Sequence, residues 1–82
     1  MIIINVTVPM MGREYDFQVD ENVSVSEICR EIVEMICRNE QCSMAGDADG
    51  VLMWEKRTMR MLRQDQTAGE NGLMTGSRVL LT

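Results

Sequence analysis

The chain has 82 residues, with 13 acidic and eight basic side chains, no histidine and a formal charge of −5. That balance excludes a nucleic-acid partner, whose phosphates require clustered Lys and Arg, and it disfavours contact with an anionic membrane. The length suits one domain over residues 1–82 that buries only about 60–65 % of its unfolded surface, and with no apolar run near the roughly 20 residues needed to span a bilayer and no basic leader before IIINVTV, it reads as cytoplasmic.

Ile2, Ile4, Val6 and Val8 alternate with Ile3, Asn5 and Thr7, which predicts a strand with one buried face. Pro9-Met10-Met11-Gly12 interrupts it. Tyr15, Phe17 and Val19 then alternate with Glu14, Asp16 and Gln18, giving a second strand and a β-hairpin. From Val23 to Arg38 the period changes. Val25, Ile28, Cys29, Ile32 and Ile36 fall on one stripe of a helix, and Glu27, Arg30, Glu31, Glu34 and Arg38 on the other. Ser24 and Glu27 form an S-x-x-E capping box, with Val23 placed to staple onto Ile28. The charged face reads most simply as solvated, with i, i+4 pairs such as Arg30 to Glu34 and Glu34 to Arg38; the alternative is an acidic docking face for a basic partner.

Residues 40–50 are polar, small and acidic, hence a loop. Val51 to Trp54 suits a third strand, Thr58 to Leu62 a fourth, and Val79 to Leu81 a last strand with apolar side chains on both faces, as at the centre of a sheet. Between these, Arg63 to Gly72 is irregular, with room for a single helical turn near Ala68 to Asn71. The order β-β-α-β-β-β predicts an α+β roll with one helix laid on a sheet.

Catalytic chemistry has little support. A nucleophilic cysteine needs a base, and no histidine is present. Cys29, Cys37 and Cys42 are odd in number and lack paired spacing, which fits free thiols and neither a zinc site nor a disulfide framework; an iron–sulfur cluster would need a fourth. Asp47-Ala48-Asp49-Gly50 resembles the middle of a calcium loop, but the template puts Ala45 at its first position and Lys56 at its twelfth, so an acidic turn is the simpler reading. No enzyme activity, metal or cofactor is expected.

The opening MIIINVTV, the turn with Gly12-Arg13, the strand YDFQV, the polar DEN, the Ser-capped helix and the ending with Leu73, Met74, Gly76 and Val79 to Leu81 together resemble the ubiquitin β-grasp fold over nearly the whole chain. The resemblance implies a ββαββ(β) roll, a mixed sheet of four to five strands packed on one helix, with the first and last strands parallel at its centre. Ala68 stands where such domains often carry leucine, which implies a less firmly packed corner. Ubiquitin-type modifiers and sulfur carriers end in a Gly-Gly tail, whereas this sequence closes Leu80-Leu81-Thr82, and Lys56 is the only lysine. In that respect it is similar to the YukD family, bacterial ubiquitin-like proteins of type VII (WXG100, ESX-like) secretion systems, and the resemblance implies a non-conjugated accessory or regulator with protein partners. The alternatives are a modifier or sulfur carrier whose Gly-Gly is missing from this sequence, and a redox-responsive domain acting through Cys37 and Cys42.

Nine methionines in 82 residues admit two readings, soft core filler or an adaptable binding face. If Thr58 to Leu62 is a strand, Met59 and Met61 share one face. Ubiquitin-like domains commonly bind partners on the outer face of the strands corresponding to Val51 to Leu62 and Arg78 to Leu81. Met10, Met11, Met53, Arg60 and Arg78 are the expected partner-binding residues, an apolar centre with an arginine rim.

Overall fold

The expected alternation builds the first hairpin. In a computed structural model that describes residues 1–40 and 52–82, strands β1 (Ile2–Val8) and β2 (Arg13–Val19) pair antiparallel with Ile4 opposite Phe17 and Val6 opposite Tyr15. Gly12, at φ +64°, provides the left-handed residue that the connecting turn needs. The expected acidic loop, with Cys42 and Asp47 to Gly50, and Val51 at the expected start of the third strand lie outside the described residues.

Helix α1 (Val25–Glu40) begins at the cap and runs two residues past the expected Arg38. The Glu27 N–H donates to Ser24 Oγ at 3.4 Å, the first half of the expected capping box. Strands β3 (Met53–Glu55), β4 (Arg60–Met61) and β5 (Arg78–Leu81) complete a sheet of order β2-β1-β5-β3-β4. β5 runs parallel to β1 and antiparallel to β3, so the expected mixed sheet under one helix is what the chain forms. β4 is shorter than the expected Thr58 to Leu62, β3 runs on to Glu55 rather than ending at Trp54, and β5 begins one residue before the expected Val79. Met59 belongs to the turn before β4, with φ +54°, and does not share a strand face with Met61.

All five predicted stripe residues of α1 are buried, joined by Val33, and they share one core with Ile4, Val6, Val8, Val19, Met53, Leu62, Val79 and Leu81. The core therefore lies between the helix and one face of the sheet. The other face is left to the remaining strand residues.

The segment 63–72, expected only as irregular, closes the start of the helix. The first N–H groups of a helix lack partners within it; here Val25 donates to Gln66 O at 2.9 Å and Ser26 to Gln64 O at 3.1 Å, while Ala68 N–H donates back to Val23 O at 3.1 Å. The expected helical turn is present, closed by Asn71 N–H to Thr67 O at 3.1 Å and by a reciprocal pair between Thr67 and Glu70. Ala68 is fully buried. The corner expected to be loose is instead held by Asn71, whose Oδ1 accepts from Arg63 N–H at 2.8 Å and whose Nδ2 donates to the carbonyls of Arg63 and Thr67 at 3.0 and 2.9 Å. Replacing this buried amide leaves the Arg63 groups without partners. Asn71→Leu should therefore lower the unfolding free energy by about 2–4 kcal/mol, read as a lower urea midpoint at unchanged m-value.

Candidate interaction face

Because side chains alternate along a strand, burial of Val6, Met53, Val79 and Leu81 fixes which residues face outward. The registers then align them across four strands. Thr7 pairs with Leu80, Leu80 with Trp54, and Trp54 with Met61. Leu80 and Trp54 are half-buried and Met61 is 51 % exposed, so an apolar row crosses the outer face of the sheet. A second row starts at Arg78 and continues to Asn5 and Asp16. Lys56 Nζ donates to Thr7 Oγ1 at 3.1 Å and lies 3.9 Å from Glu14, which places an ammonium at the row's edge. Trp54 Nε1 is enclosed without an acceptor among the described residues, a cost that phenylalanine at this position would avoid.

The five expected partner-binding residues are not brought together. Met53 is fully buried: it lies opposite Leu81, and with Leu81 inward Met53 must point inward too. Arg60 lies opposite Glu55 at the end of the sheet and is held there, its guanidinium donating to Asn71 O at 2.7 Å and standing 3.5 Å from the Glu55 carboxylate. Its first task is structural. Met10 and Met11 sit in the β1–β2 turn, beyond Val8, whereas Arg78 pairs with Asn5, roughly 10 Å back along the strand. Met10 is exposed and Met11 packs partly against the core. Only Arg78 stands beside the outer apolar row. The residues the sequence reading passed over are Trp54, Leu80 and Met61 as a set. The signal was present in the alternation around Met53, but the sign of that alternation depends on which of Met53 and Trp54 faces the helix.

The methionines are mostly not core filler. Met1, Met10, Met35, Met59, Met61 and Met74 are exposed, and Met53 alone among the described methionines is fully buried.

No protein-family model matches the sequence, and no curated protein matches it. Solved structures do match in three dimensions. The N-terminal ubiquitin-like domain of the 4931431F19Rik protein superposes with a TM-score of 0.72 at 21 % identity, covering 99 % of this chain and 72 % of that one. The ubiquitin-like domain of Arabidopsis thaliana protein At2g32350 gives 0.73 at 16 % identity, over 99 % and 74 %. Caldiarchaeum subterraneum ubiquitin gives 0.70 at 16 % identity, over 98 % and 89 %. The fold is ubiquitin-like. In the terms of that fold, the apolar row lies on the sheet face away from the helix.

The state of the thiols follows from their burial. Cys29 is 1 % exposed, and desolvation pushes its pKa from the ordinary 9.0 up to about 11, which leaves it protonated and unreactive at neutral pH. Cys37 is half-buried against the core. Among the described residues no cluster of three or more His, Cys, Asp or Glu could hold a metal, and no helix is long and apolar enough to cross a membrane.

Two outcomes follow. Met53→Ala should cost about 2–5 kcal/mol by opening a cavity in the core, whereas Met61→Ala should leave the urea midpoint nearly unchanged. For Cys29 the unfolded thiol ionises from about pH 9 while the folded one stays protonated to about pH 11, so its contribution is complete below pH 9 and is lost between 9 and 11. The stability difference between wild type and Cys29→Ala should shrink by on the order of 2–3 kcal/mol across that window in denaturant titrations.

Proposed function

We propose that residues 1–82 form one non-catalytic, non-conjugated protein-interaction domain that docks its partner on the outer face of the sheet, through Leu80, Trp54 and Met61 with Arg78 at the rim. The observation that carries this reading is the register-aligned apolar row on the face opposite the helix. An apolar centre bordered by an arginine is the composition of an interface. Met10, exposed at the hairpin turn, is a second, separate contact point. The sequence resemblance to the YukD family supports the finer part of the proposal, that the domain is a cytoplasmic accessory or regulator of a type VII-like secretion system.

The test is an affinity pull-down from native lysate with the tagged chain, beside a Leu80→Asp, Met61→Asp double variant shown by circular dichroism to be folded. Secretion ATPase or channel components should be retained by the wild type alone. Equal recovery by both proteins would remove the proposed face, and recovery of an adenylating enzyme would transfer support to the modifier or sulfur-carrier reading.

A further inference from the structure

A hollow of about 680 Å³ lies between the β3–β4 turn and the segment leading into β5, its walls including Lys56, Arg57, Thr75, Gly76, Ser77 and Arg78. Its charge runs against that of the chain. Residues 52–82 hold five of the eight basic side chains and three of the 13 acidic ones, and three of those five cations line this one hollow.

The groups facing it are donors. Thr75 Oγ1 already accepts from Ile3 N–H at 3.2 Å, and Ser77 Oγ from Met74 N–H at 3.0 Å. Each hydroxyl is thus fixed as an acceptor toward the backbone, and its own O–H remains to donate outward. The guanidiniums of Arg57 and Arg78 have no hydrogen-bond or ion-pair partner among the described residues. Gly76 has φ +93°, and no atom lies within 4 Å of where a Cβ would stand, so backbone is open to the hollow there. The acid in the wall, Glu55, is engaged by Thr58 Oγ1 at 3.0 Å and by Arg60 at 3.5 Å. The Lys56 ammonium donates to Thr7 Oγ1 and lies near Glu14, so it contributes charge to the wall while the two arginines supply the fork.

We infer that this hollow is an oxyanion site, in which the Arg57 and Arg78 guanidiniums and the Thr75 and Ser77 hydroxyls receive a phosphate or carboxylate group. Guanidinium forks match the paired oxygens of both anions, and charge-assisted bonds of this kind are the strong ones. The inference rests on this donor set; it shares Arg78 with the proposed docking face and uses none of its apolar residues.

The test is a titration of the isotope-labelled 82-residue chain at low ionic strength, followed by amide chemical shifts, with inorganic phosphate, glutarate and a hexaglutamate peptide as probes. Saturable shifts are expected at Arg57, Thr75, Gly76, Ser77 and Arg78, weakened at least ~10-fold in an Arg57→Gln, Arg78→Gln double variant and unchanged in Arg13→Gln, Arg38→Gln. The spectra themselves show that each variant is folded. Tighter binding of the peptide identifies an acidic protein segment as the source of the anion; saturation by phosphate or glutarate alone identifies a small molecule. If no probe gives saturable shifts, or the double variant binds as the wild type does, the inference is overturned.

Discussion

The apolar stripe of α1 cannot stay in water, and the sheet that covers it is assembled around one long-range pairing. β1 and β5 lie side by side in parallel, with Asn5 opposite Arg78, so residues from the two ends of the described chain form the middle of the sheet. A parallel pair needs a long crossover; here the connection from β1 to β5 contains β2, the helix, β3, β4 and the 63–72 segment. Val6 and Val79 meet on the inner face of that pair. Every other element is attached to it, with β2 added on one side and β3 with β4 on the other.

The segment after β4 shows how a short chain closes a core without much regular structure. Backbone carbonyls of Gln64 and Gln66 satisfy the leading N–H groups of the helix, and buried Asn71 ties Arg63, Thr67 and Arg60 together. A polar side chain is acceptable in that interior because its donors and acceptor are matched. Arg60 is consequently part of the scaffold, and the rim of the outer face has one arginine fewer than its sequence suggested.

The proposed docking face is thereby separated from the core. The helix side of the sheet is consumed by packing, the opposite side carries the row Leu80, Trp54 and Met61, and the sheet end beside Arg78 gathers cations around a hollow. Both features arise in the second half of the chain, where strands are short and turns many. The acidic residues are concentrated in the first half of the sequence, along β2 and the exposed face of α1, whereas five of the eight basic residues fall in residues 52–82.

The hairpin and the helix were legible from the sequence, because a period of two or of 3.6 residues is a local property set by burial of one face; the capping serine marked where the helix starts for the same local reason. The order of elements and the family resemblance gave the roll. The position of Met53, the attachment of Arg60, the distance of Met10 and Met11 from Arg78, and the alignment of Trp54 with Leu80 could be decided only in three dimensions. A three-residue strand has too few alternations to show which face is buried, and shifting its register by one residue exchanges the two faces. Pairing with β5, whose Val79 and Leu81 are drawn to the helix, makes that choice for β3.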